Sequence, residues 1–170
     1  GLTDLRDAAR LLRAQGHAFR VELLGPTDSN PDAVDAATLD AWQAAGEVVW
    51  HGATRDVRPY IAACHVLVLP TRLREGIPRT ILEAMACGVP VVASRVGAYE
   101  TLIRDGETGT LIPREDVDAL AAALDRWLSD DAGRAAAGRA ARAHVEENHA
   151  IESEARAIVA VYRRLLETGR

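Results

Sequence analysis

With 170 residues the chain can bury one sizeable core, which makes a single domain the expectation and leaves no room for two. Apolar residues make up 48% but aromatic ones only 4%, so the core has to be built from Ala, Val, Leu and Ile, as parallel sheets covered by helices commonly are. A net charge of −5, from 20 basic and 25 acidic residues without a basic block, argues against nucleic acid as a partner.

Leu2, Leu5, Ala8, Ala9 and Leu12 fall at helical spacing, with Thr3 or Asp4 available as a cap and Gly16 as the stop. Phe19 to Leu24 reads as a strand ending at Gly25-Pro26, and the turn-rich run Thr27 to Pro31 leads into a helix from about Asp32 to Ala44. Val48 to Trp50 is a short strand closed by His51-Gly52, and Asp56 caps a brief helix through Ala63. The continuous apolar run Val66-Leu67-Val68-Leu69, stopped by Pro70, suits a strand buried on both faces.

After the next helix comes a strand from Pro90 to Ala93, with Pro90 at its first position because it has no N–H to donate. Thr101 to Arg104 reads as a helical turn, Asp105 to Gly109 as a turn and Thr110 to Ile112 as a last strand. An amphipathic helix from Asp116 to Leu128 follows, with Val117, Leu120, Ala121, Leu124, Trp127 and Leu128 on one side. Helices from about Ala132 to Glu147 and Ile151 to Leu166 close the chain. This alternation predicts an α/β domain with a Rossmann-like open parallel sheet and helices on both faces, whose ligands bind beyond the carboxyl ends of the strands.

Between the third and fourth strands lies the stretch around which the rest is arranged, Glu75-Gly76-Ile77-Pro78-Arg79-Thr80-Ile81-Leu82-Glu83. Gly76 allows unusual backbone angles and close approach of a ligand, and Pro78 has the φ favoured at a helix start. The free first-turn N–H groups near Ile77, Arg79 and Thr80, with the positive end of the helix dipole, make a seat for phosphate. Glu75 precedes that helix and Glu83 lies about one and a half turns inside it. Ionised carboxylates only accept hydrogen bonds, which suits them to the vicinal hydroxyls of sugars on either side of a phosphate, and that combination is a sugar nucleotide.

The run from Glu75 to Val92 carries every fixed position of E-G-x-P-x-x-x-L-E-A-M-A-x-G-x-P-V-V. It thereby resembles the C-terminal, donor-binding domain of the family 4 retaining glycosyltransferases of GT-B type. The likeness continues more loosely from about Leu2 to Leu128. The resemblance implies that Glu83 accepts from ribose hydroxyls and Glu75 from hydroxyls of the transferred sugar, as catalytic-site residues but neither as general acid nor as general base. It also implies that the loop holding Gly52 and Thr54 packs on the nucleobase, largely through backbone groups, and that Arg79 helps with the diphosphate chiefly through its N–H.

The implied donor is a nucleotide diphosphate sugar, UDP-sugar favoured, with no metal or other cofactor. The acceptor is a sugar or lipid-linked glycan, reached through a separate N-terminal domain, in polysaccharide or glycolipid synthesis in a bacterium. The implied location is cytoplasmic, at the inner face of the membrane, through peripheral association of the full-length protein. Gly1 falls in the first turn of a helix, so residues 1–170 read as a donor-binding domain cut from a longer protein, with residues 132–170 as its C-terminal helices. In the family an Arg and a Lys that neutralise the diphosphate, and the sheet's first strand, precede the position of Gly1. Other departures from the family pattern are His65 for its usual Asp, Ala98 for the second glycine of a pair, and a downstream Glu that falls at Thr101 or, one residue earlier, at Glu100.

Other features read as structural. Cys64 and Cys87 form no C-x-x-C pair and are expected to be buried, reduced thiols. His51 is expected to be a structural histidine, and His65, His144 and His149 show no metal-site spacing with carboxylates. Arg72 and Arg74 are expected to be solvated. The rival readings are a non-catalytic nucleotide-binding or regulatory module of the same fold, and a nucleotide-sugar epimerase. A receiver-type signalling domain would need a phospho-acceptor Asp where the third strand ends in Pro70-Thr71, and a dinucleotide oxidoreductase would need G-x-G-x-x-G, which the sequence lacks.

Overall fold

The structure, a computed structural model, describes residues 1–168 apart from 29, 31, 32, 74 and 75. Its elements alternate as the apolar spacing predicts. In chain order they are α1 (Leu2–Ala14), β1 (Glu22–Leu23), α2 (Ala36–Ala44), β2 (Val49–Trp50), α3 (Arg58–Ala63), β3 (Leu67–Leu69), α4 (Arg79–Ala86) and β4 (Val91–Ser94). A 3-10 turn at Tyr99–Thr101 precedes β5 (Gly109–Ile112), and α5 (Val117–Ser129), α6 (Asp131–Asn148) and α7 (Ile151–Thr168) end the chain.

All strand pairs are parallel, in a three-stranded sheet β3-β4-β5 and a two-stranded piece β1-β2. In the larger sheet Leu67 is in register with Val91 and Val91 with Gly109. Side chains alternate across it with the period of two that strands impose. Val92 and Ile112 join Leu5, Leu12, Leu120, Leu124 and Trp127 on the α1/α5 side. Val91, Ala93 and Leu111 join Ile61, Ile81, Met85 and Val145 on the α3/α4/α6 side.

Val21 and Leu23 of the smaller piece share the first of these layers with Val66 and Val68, so both pieces rest on one core, while among the described residues β1 and β3 each have one unpaired edge. That explains one departure from the sequence reading. Leu67–Leu69 is half-buried rather than buried on both faces, and the wholly buried strand is β4.

Local signals set the ends of most elements. Asp35, Asp116 and Asp130 accept hydrogen bonds from the N–H of Thr38, Ala119 and Gly133, capping α2, α5 and α6. The described part of α2 therefore starts at Ala36, later than the Asp32 expected, and Asp32 itself lies outside the described residues. Asp56 accepts from the N–H of Arg58 at 3.1 Å and pairs with its guanidinium, but it is not the cap expected: α3 starts one residue later, with Val57 at the N-cap position and no side-chain cap.

Asp4 does not cap α1. It is turned inward and 6% exposed, because the helix start lies against the end of β3, where Gly1 meets the Pro70 carbonyl. The two cysteines are half-buried rather than buried. Burial still raises the Cys64 thiol above its ordinary pKa, with Glu22 adding to the effect, and its Sγ lies 3.2 Å from the Tyr60 carbonyl.

Helix α4 ends where Gly88, at φ 73, lets the N–H groups of Gly88 and Val89 turn back to the carbonyls of Met85 and Ala84. The same carbonyl bend is where α6 crosses, and a Cβ on Gly138 would fall well inside van der Waals contact of the Gly88 carbonyl oxygen. Gly138→Ala gains at most about 1 kcal/mol of helix propensity but overpacks this crossing, which costs roughly 1–3 kcal/mol. The expected outcome is net destabilisation, read as a lower urea midpoint at unchanged slope.

The α6–α7 corner supplies a second prediction. The His144 Nε2 is buried without a partner, and burial, with Arg104 and His149 adding, holds the imidazole below its ordinary 6.5. The unfolded chain therefore takes up this proton first, and stability is lost as pH falls below about 6.5. His144→Gln should flatten the fall in unfolding free energy between neutral and mildly acidic pH, measured by urea titrations across that range.

Candidate functional site

The carboxyl ends of the strands carry the loops that can hold a ligand. On the β3 side, the chain leaves Leu69 through Pro70-Thr71 and reaches the first turn of α4. Pro78 is the N-cap residue, at φ −77 and ψ 131, so the helix proper begins at Arg79. Proline has no side chain able to cap, and the Ile81 N–H already returns to the Pro78 carbonyl at 3.1 Å. Among the described residues no side chain caps this turn, and the N–H groups of Arg79 and Thr80 lie at the positive end of the helix dipole. Arg79, Thr80, Ile77 and Gly76 are all exposed, and a Cβ at Gly76 would meet nothing within 4 Å. Packing within the chain therefore gives no reason for glycine there.

Glu83 sits one turn further along. The helix turns Ile81, Ala84 and Met85 into the core, which leaves Glu83 half-exposed beside Arg79. An Arg79 Nη2–Glu83 Oε1 ion pair of 3.5 Å links them at i,i+4 spacing. Glu75, the other carboxylate singled out in the sequence, lies outside the described residues, as does Arg74.

Gly52 and Thr54 come from the loop between β2 and α3. Gly52 has φ 65, a left-handed conformation that favours glycine, and its carbonyl accepts from the Gly25 N–H at 2.8 Å, tying the ends of β1 and β2 together. The Thr54 hydroxyl is engaged with the Asp56 backbone at 3.2 Å, so this loop offers a ligand mainly main-chain groups. Helix α3 then packs on α4, with Ile61 in the same core as Ile81 and Met85, which couples this loop to the α4 helix. His51, on the same loop, lies 3.3 Å from Glu22 and edge-on to the Tyr60 ring, a set of structural contacts.

The family model described as "Glycosyl transferases group 1" matches residues 1–130. The chain belongs to this family. Over 123 residues this group 1 glycosyltransferase chain is 41% identical to the "Lipopolysaccharide core biosynthesis mannosyltransferase LpcC" of Rhizobium leguminosarum bv. viciae, a match covering 72% of the chain and 35% of that protein. Over 87 residues it is 42% identical to a "GDP-mannose-dependent alpha-(1-6)-phosphatidylinositol monomannoside mannosyltransferase" of Mycolicibacterium smegmatis, covering 48% of the chain and 23% of that protein.

Among solved structures, the C-terminal domain of the group 1 family protein LpcC from Francisella tularensis matches with a TM-score of 0.76 at 21% identity, over 89% of this chain and 80% of that one. The fold is thus that of the C-terminal half of a GT-B glycosyltransferase. The chain spans only about a third of the length of the LpcC relative from Rhizobium.

The group 1 domain also contains an arrangement that sequence reasoning missed. Arg72, expected to be solvated, reaches back 68 residues to Asp4, with Nη2–Oδ1 at 2.5 Å and Nε–Oδ2 at 3.1 Å. This fork raises the Arg72 guanidinium above its ordinary pKa. Nothing in local spacing announces it, since the partners are on separate elements. Among the described residues no group of three or more His, Cys, Asp or Glu side chains is placed to hold a metal, and no helix is long and apolar enough to cross a membrane.

Among the described residues, the Arg79–Glu83 pair lies where a ligand at the start of α4 would meet it. The Arg79 side chain is 90% exposed, so the pair is screened and contributes at most about 1 kcal/mol. Arg79→Ala is accordingly expected to shift the unfolding free energy by less than about 1 kcal/mol, measured by denaturant titration, while leaving Glu83 without its neighbouring cation.

Proposed function

We propose that the chain is the donor-binding domain of a retaining, family 4 glycosyltransferase that moves a hexose from a nucleoside diphosphate sugar to a hydroxyl acceptor in polysaccharide or lipopolysaccharide synthesis. The observation that carries this reading is the start of α4, a helix N-terminus with no side-chain cap among the described residues and with Glu83 half-exposed one turn inside it, beyond the carboxyl end of a parallel strand.

In this reading the N–H groups of Arg79 and Thr80 receive the diphosphate, and the helix dipole stabilises charge as it builds on the leaving group. Glu83 accepts from ribose hydroxyls. Gly76 stays without a side chain so that the donor can approach the backbone. Glu75 takes hydroxyls of the transferred sugar, the role the motif resemblance implies. The loop of Gly52 and Thr54 meets the nucleobase through main-chain groups. Catalysis then rests on holding the donor and neutralising the departing diphosphate, with attack on the face the leaving group occupied.

The family's phosphate-neutralising Arg and Lys, and the acceptor domain, belong to other parts of the full-length enzyme. The unpaired edges of β1 and β3, which share one core, support a further parallel strand between them. The motif variant favours a UDP-sugar, whereas the mycobacterial relative uses GDP-mannose, so the base is decided by titration. The membrane face is reached by peripheral association of the full protein.

Titration of the isotopically labelled chain with UDP, GDP and ADP and one sugar conjugate of each, followed by backbone amide shifts, tests the reading. Shifts are expected at Gly76 to Glu83 for one base. Glu83→Gln should cost that ligand roughly 1.5–3 kcal/mol, the worth of hydrogen bonds to a charged group, or about ten- to more than a hundredfold in Kd. Amides that stay still for every nucleotide at millimolar concentration would sink it.

A further inference from the structure

We infer that Asp4 and Arg72, assisted by Arg114, are positioning residues for this site: together they fix the chain entering α4 against the start of α1. The inference rests on the donor-site reading above. Its physical starting point is Asp4, 6% exposed in the first turn of a helix, where an acidic side chain ordinarily stays in water. A carboxylate taken out of water requires a charged, hydrogen-bonded partner. Arg72 supplies both bonds of a fork, which constrains orientation as well as distance.

Arg72 is held on its main-chain side too. Arg114, on the loop between β5 and α5, donates from Nη1 to the Arg72 carbonyl at 3.3 Å. One residue earlier, the Thr71 N–H bonds the Leu69 carbonyl at 3.0 Å, and the Thr71 hydroxyl accepts from the Leu73 N–H at 3.2 Å. The described residues that follow have no comparable apolar anchor. Leu73 is 58% exposed and Ile77 48%, and Gly76 is exposed as well. With so little buried surface at Leu73, Gly76 and Ile77, the polar bonds at residues 69–73 are what fix the chain leaving β3. The Arg72 junction therefore joins α1, the β3 exit and the β5–α5 loop just ahead of the first turn of α4.

The test uses Asp4→Asn, Arg72→Gln, Arg72→Lys and Arg114→Ala in the same labelled chain, with calorimetric titration of UDP and GDP beside apo amide spectra. Asp4→Asn and Arg72→Gln are expected to move the amides of Gly76, Ile77, Arg79 and Thr80 before any nucleotide is added and to weaken nucleotide binding about tenfold or more, as loss of alignment does. Arg72→Lys, which keeps the charge and loses the fork, should fall between Gln and the native residue.

Changes confined to residues 1–5 and 70–73, with affinity within about twofold of the native chain, would overturn the proposal and leave the pair a purely structural strut. Where Asp4→Asn does not fold, Arg114→Ala decides by the same two readouts, since Arg114 is exposed and hydrogen-bonds the Arg72 carbonyl. Should the native chain bind no nucleotide, the donor reading fails, while the apo amides of Gly76 to Thr80 still decide the tether.

Discussion

The burial of β4 constrains nearly everything else in the domain. Every residue from Val91 to Ser94 is inaccessible, so both faces of the strand need a helical cover. On one face Val92 requires α1 and α5; on the other Val91 and Ala93 require α4. Fully burying a side chain such as valine contributes about 1.5–3 kcal/mol, whereas an exposed ion pair contributes at most about 1 kcal/mol. The rotation of α4 about its own axis is therefore set by Ile81, Ala84 and Met85 facing inward. Glu83 and the first turn take whatever outward direction remains. The orientation of α4 within the site is a by-product of the packing in that sense.

That division also governs how legible the chain is before folding. Elements whose cause is local can be read directly: the helical spacing of Leu5, Ala8, Ala9 and Leu12, the Asp116 cap of α5, and the turn from Asp105 to Gly109. Glu83 and its relation to the helix start were equally legible, because one helix fixes both. What failed had distant causes. Leu67–Leu69 has the composition of a doubly buried strand, but whether it is buried depends on which strands lie beside it, and it is half-buried at a sheet edge. Asp4 has the position and chemistry of a cap, yet the approach of β3 to the start of α1 turns it inward toward Arg72. No window of sequence contains both members of that pair.

The same contrast sorts the charges of the site by what a ligand can do to them. The Asp4–Arg72 pair is forked and its carboxylate is buried although the Arg72 side chain is 49% exposed, so separating it leaves that carboxylate without its charged partner. The Arg79–Glu83 pair is exposed, longer at 3.5 Å, and weak. Hydroxyl hydrogen bonds to an ionised carboxylate contribute about 1.5–3 kcal/mol, which exceeds the pair at most surface positions. In the proposed donor reading a sugar nucleotide would take Glu83 from Arg79 at little cost, and the freed guanidinium would remain at the helix start. It cannot take Arg72 from Asp4 on those terms. One arginine is thus available to respond to a ligand, and the other holds the chain on which that response depends.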